Sequence, residues 1–136
     1  MSRREVISPP NRHALYDVHG YSPAIRFGDL LFVSGQVGSR EDGSPEPVFA
    51  DQVRRAYANL KVILAAAGAS LDDVVDVTTF HTDPGSQLET VMAVRADEIG
   101  PAPYPNWTAV GVTWLAGFDF EIKVIARIPE PRRKAD

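Results

Sequence analysis

Apolar positions set the outline of this chain. Val53, Tyr57, Leu60, Ile63, Leu64 and Ala67 recur at three- and four-residue steps, with Arg54, Arg55, Asn59 and Lys61 on the opposite side, which predicts an amphipathic helix. Acidic Asp51 suits the positive end of its dipole, and Gly68 is a suitable left-handed terminator. Leu88, Val91, Met92 and Ile99 predict a second helix, with Glu89, Arg95 and Asp97 as its wet side and Gly100-Pro101 as its stop. Other segments are rich in strand-favouring residues. Ala24–Phe27 and Leu30–Val33 read as a hairpin turned by Gly28-Asp29, and Val74–Thr82 reads as a strand broken by Asp83-Pro84-Gly85. Two more strands, about Asn106–Trp114 and Phe118–Ile128, are joined at Ala116-Gly117. On the last of them Ile122, Val124, Ala126 and Ile128 share one face, while Glu121, Lys123 and Arg127 share the other. Residues 1–12 read as an irregular lead-in, followed by a short strand around Leu15 to Val18, and 129–136 as a tail.

The order ββ, helix, strand, helix, ββ predicts one α+β domain spanning residues 1–136, a sheet with both helices packed on one face. The opposite face would carry Trp107, Thr113, Glu121, Lys123, Ile125 and Arg127. That set is too mixed for a core and too structured for free solvent, so pairing with further copies of the chain is the economical way to cover it.

A length of 136 residues with 44% hydrophobic content suffices for one core. A net charge of −4 argues against nucleic acid as a partner, because binding a phosphate backbone needs a concentrated positive surface. Arg132-Arg133-Lys134 is basic, but it follows Pro129 and Pro131 in a solvated tail. The chain has no cysteine, which excludes disulfides, thiolate nucleophiles and sulfur-ligated zinc and fits a cytoplasmic location. No apolar run approaches the ~20 residues that span a bilayer, so no membrane partner is expected. His13, His19 and His81 lack metal-ligand spacing, and no phosphate loop or dinucleotide fingerprint is present; neither a metal nor a cofactor is expected.

Chemistry concentrates at the end of the hairpin. The buried run Leu30–Val33 stops at Ser34-Gly35-Gln36, a hydroxyl, a residue that lets backbone approach a ligand, and an amide. Taken alone, that ending reads more readily as a simple strand terminus. It is joined by Gly20-Tyr21-Ser22, by Ala65-Ala66-Ala67-Gly68, by Pro105-Asn106-Trp107 with Val110-Gly111-Val112, and by Glu121-Ile122-Lys123-Val124-Ile125-Ala126. In this order and spacing, from about Tyr21 to Ala126, these motifs resemble the YjgF/Rid family of reactive-intermediate deaminases, also labelled L-PSP endoribonucleases. The resemblance implies a chorismate-mutase-like fold of the bacillus type and a homotrimer with small-molecule clefts between subunits. It also implies a catalytic glutamate at Glu121, which positions the water that attacks an imine or enamine, with Tyr21, Ser34 and Gly35 lining the cleft. The arginine that holds the substrate carboxylate in competent members falls on Trp107.

An indole has one neutral donor and a large apolar face where a guanidinium has a charged fork. Losing a charge-assisted contact costs about 1.5–3 kcal/mol per hydrogen bond, so the usual 2-imino acids would be held poorly. Lys123 and Arg127, on Glu121's face, are the replacement cations the alternation offers; Trp107 itself would stack on a flat ligand or fill the cleft. Two functions follow: hydrolysis of a reactive imine or enamine other than the usual 2-imino acid, or ligand binding without catalysis on the same trimeric scaffold. Glu121 also reads as a simple charge partner of Lys123 or Arg127, and Tyr21 as packing. The acidic composition weighs against ribonuclease activity.

Overall fold

A computed structural model describes residues 4–11 and 14–130. Most of the predicted tail, with its basic cluster, lies outside these residues, as do Arg12 and His13. Six strands, β1 (Glu5–Ile7), β2 (Ala24–Phe27), β3 (Leu30–Val37), β4 (Val74–His81), β5 (Asn106–Gly111) and β6 (Phe120–Arg127), form one sheet in the order β1-β2-β3-β6-β4-β5. All neighbours are antiparallel except β4 and β5, which run parallel. The short helix α1 (Leu15–His19) precedes the β2–β3 hairpin, α2 (Phe49–Ala66) follows it, and α3 (Pro84–Ile99) connects β4 to β5.

The core lies between one face of the sheet and the two long helices. Leu31 and Val33 of β3, Val77 of β4, and Ile122, Val124 and Ala126 of β6 are buried there with Val53, Tyr57, Leu60 and Leu64 of α2 and Val91 and Val94 of α3. Each large apolar side chain so buried contributes about 1.5–3 kcal/mol. The alternation read along β6 holds: its even positions from Phe120 to Ala126 are buried, and Lys123 and Arg127 on the other face are exposed. The hairpin turn at Gly28 is also as expected, with a positive φ of 62° there. Among the described residues no helix is long and apolar enough to cross a membrane.

Four local expectations are corrected. Leu15–Val18 is part of helix α1, not a strand. Val18 N–H donates to the Ala14 carbonyl, and Gly20 closes the turn in the left-handed region, so local hydrogen bonds outweigh strand preference in a segment with no neighbouring strand. The lead-in is not wholly irregular, because Glu5–Ile7 adds an edge strand to β2. The strand expected over Asn106–Trp114 ends at Gly111, which leaves Thr113 beyond β5 and off the sheet face; β5 lies outside β4, with β6 between β3 and β4. Finally, Trp107 is not on Glu121's face. Its register partner is Val77, which is buried against the helices, so Trp107 projects to the helix side.

Candidate active site around Glu121

The pairing of β3 with β6 slips once. Val33 stands opposite Val124 and Gln36 opposite Ile122, so three steps along β3 match two along β6 and a bulge falls at Ser34-Gly35. The bulge brings the site together. A Cβ on Gly35 would lie 2.5 Å from both the Cδ and the Oε2 of Glu121, closer than real contacts permit, so the Glu121 carboxyl occupies the space that a side chain at position 35 would need. Glycine is required there by close approach.

Glu121 faces away from the helices, half-buried, and no described residue donates a hydrogen bond to it. Burial raises its pKa above the ordinary carboxylate value, opposed in part by the positive charge of Lys123. Tyr21 is close enough to feel that charge. Its phenol is held protonated by burial first, then by Tyr16 and by Glu121. The two tyrosine rings are tilted against each other at 4.8 Å, and the Tyr16 hydroxyl accepts from the buried Gln36 amide at 3.3 Å. Gln36 Nε2 also donates to the Ser34 carbonyl at 2.9 Å. The Ser34 hydroxyl donates to the Ser22 carbonyl at 2.7 Å, and its backbone N–H donates to the Pro23 carbonyl, tying the bulge to the segment that carries Tyr21. Ser34 therefore positions the cleft while keeping lone pairs free to accept.

The structure thus brings Glu121, Gly35, Tyr21 and Ser34 together within one chain and leaves Trp107 apart. The Trp107 indole Nε1–H donates to Thr79 Oγ1 at 2.8 Å, and the Arg95 guanidinium lies over its ring, 4.6 Å from the centroid. Of the two cations considered as replacements, Arg127 is engaged with Asp29 at 3.0 Å, whereas Lys123 acts on Glu121. Sequence reasoning missed Arg95 by assigning it to the wet side of α3. The signal was available, because Val91, Arg95 and Ile99 fall at four-residue steps and so share one helix face. Conversely Met92, read as part of the apolar stripe, is exposed. Among the described residues no group of three or more histidines, cysteines or carboxylates could hold a metal ion.

Known proteins give this arrangement a context. A model of the family described as Endoribonuclease L-PSP matches residues 11–128. The RutC family protein YjgH of Escherichia coli K12 is 66% identical over 130 residues, covering 96% of this chain and 99% of that protein. The solved structure of protein YJGH superposes with a TM-score of 0.90 at 65% identity, covering 96% of this chain and all of that one. A Dermatophagoides farinae protein named 2-iminobutanoate/2-iminopropanoate deaminase is 30% identical over 119 residues, or 85% of this chain and 88% of that one. By sequence and by fold, the chain belongs to the endoribonuclease L-PSP (YjgF/Rid) family.

Proposed function

We propose that this protein hydrolyses a reactive imine or enamine other than the usual 2-imino acids, working as a homotrimer in the cytoplasm. The observation that carries this reading is the Glu121 carboxyl, seated over Gly35, without a hydrogen-bond donor among the described residues and with its pKa raised by burial. Such a carboxylate is a stronger base than an exposed one and is free to hold a water. In the reaction Glu121 takes a proton from that water as its oxygen bonds to the C=N carbon. That proton passes from Glu121 to the nitrogen to give the carbinolamine, whose hydroxyl proton follows by the same route as the C–N bond breaks, releasing ammonia and a carbonyl compound. Tyr21, kept protonated, donates a hydrogen bond in the cleft, and Ser34 and Gly35 line it. The relative named as a deaminase of 2-iminobutanoate and 2-iminopropanoate supports the reaction class. The guanidinium on Glu121's own face, Arg127, is engaged with Asp29, which supports a substrate without the usual carboxylate.

The trimer is supported by the open sheet face, where Ile25, Phe32 and Ile125 are register neighbours and Phe32 is 40% exposed. Light scattering is expected to give about three times 14.9 kDa.

The test measures ammonia release from imines made in place, by an amine oxidase for carboxylate-free imines and by an amino-acid oxidase for 2-iminopropanoate. We expect the carboxylate-free imines to be hydrolysed faster, with Glu121→Gln reducing the acceleration by about 100-fold or more. Absence of acceleration for every imine defeats the hydrolase reading. The engaged indole of Trp107 favours a second reading, a ligand-binding protein on the same scaffold, which predicts thermal stabilisation by a ligand without ammonia release.

A further inference from the structure

On the helix side of the sheet, Met92, Arg95 and Ile99 of α3, Tyr104 just before β5 and Trp107 within it line a cleft of about 210 Å³. At roughly 30 Å³ per water this is about seven waters' worth of space, enough for a single flat ring with a small substituent. Its lining is apolar and aromatic apart from one cation. Arg26, Arg54, Arg55 and Arg127 each lie within 4.0 Å of a carboxylate, but Arg95 has neither an ion pair nor a hydrogen bond among the described residues. Its Nε is buried and unpartnered. A buried guanidinium N–H without an acceptor is costly, and an acidic chain such as this one has carboxylates to spare for it.

The cation is held in place by a ring whose own orientation is fixed. The Trp107 indole donates its one polar hydrogen to Thr79 Oγ1 at 2.8 Å, and the fully buried Thr79 is in turn bonded to His81 Nε2 at 2.7 Å. That anchor sets the plane of the indole and presents its face to Arg95 at 4.6 Å. A guanidinium lying over an indole keeps its edge donors in plane, the geometry that a carboxylate matches with two parallel hydrogen bonds.

We infer that this cleft is a binding site for a small planar carboxylate, with Arg95 taking the carboxylate and Trp107 and Tyr104 contacting the flat body. It lies on the face of the sheet opposite Glu121 and does not depend on the chemistry proposed there.

The probe is benzoate, with benzamide as its neutral isostere. In a Trp114→Phe background Trp107 is the remaining tryptophan, so its emission reports the cleft directly. Benzoate should shift that emission saturably, with benzamide at least about tenfold weaker because it lacks the charge-assisted pair. Arg95→Met should abolish the preference, and Lys123→Met, on the other face, should keep it. Where Arg95→Met fails to fold, Arg95→Lys takes its place and is expected to weaken benzoate by losing the fork. The comparison of the two ligands also stands on the Arg95 protein alone. Equal binding of the two ligands, no saturable response to benzoate, a preference that survives loss of Arg95, or one that disappears with Lys123 would each overturn the assignment. None of these readouts involves ammonia release, so they are independent of the deaminase test.

Discussion

Glu121 and Arg95 carry opposite charges on opposite faces of one sheet, and the protein accommodates them differently. Glu121 sits in a gap made by omission: the bulge and the absent side chain of Gly35 give its carboxyl space, and no described residue donates a hydrogen bond to it. Arg95 is placed by addition, through a relay of specific partners from His81 to Thr79 to the Trp107 ring. A site made by omission should be sensitive to added volume, and one made by a relay should be sensitive to loss of a polar atom. The contrast yields four tests.

The largest effect is expected from Gly35→Val, which forces a branched side chain into the Glu121 carboxyl and should cost about 3 kcal/mol, at the upper end of overpacking. Urea unfolding gives the number, and Glu121→Ala in the same chain should restore much of the loss, since the two groups compete for one space. Failure of that rescue would mean that backbone strain, not the carboxyl, makes position 35 intolerant.

Thr79→Val keeps the shape but removes the oxygen that serves both the Trp107 indole and His81, and should cost about 2 kcal/mol. In a Trp114→Phe background a shift of Trp107 emission should accompany the loss. An unchanged spectrum would argue that the indole is held by packing alone.

His81 gives a pH signature. Burial lowers its pKa below the ordinary 6.5, so the unfolded chain binds the extra proton first. Its contribution to stability is therefore complete above pH 6.5 and is lost progressively as pH falls below that value. His81→Gln should flatten the decline between neutral and mildly acid pH relative to the parent, measured as paired denaturation midpoints.

The smallest effect has the opposite sign. The Glu121 pKa is raised, so the folded chain holds its proton longer, and ionisation weakens the fold as pH rises through the interval just above 4.5. Glu121→Gln should match the parent in acid and become more stable than it toward neutrality. An equal difference at all pH values would assign the effect to packing.

The elements visible in the sequence were those whose periodicity coincides with burial. Helix α2 and strand β6 were legible because one face of each is buried along its length. Among the site residues, Glu121 and Gly35 were legible as members of a motif, but their contact was not, since it depends on a one-residue slip between strands far apart in sequence. Trp107 is expected on Glu121's face, but alternation within β5 alone does not fix its phase relative to β6. The parallel pairing of β5 with β4 sets that phase, and it is a tertiary fact. Arg95 was misread for a related reason: a charge on a helix suggests solvent until the residue facing it is known to be an indole.

The bulge also bears on heredity. Positions 35 and 121, so far apart in the chain, draw on a single volume, so a change at one constrains what fits at the other. A lineage that acquires any side chain at position 35 must shorten or redirect the glutamate at 121, and one that loses the glutamate releases the glycine from constraint. Reading those two letters together in any relative aligned over the Endoribonuclease L-PSP region would tell whether that protein still keeps room for a carboxylate at the bulge.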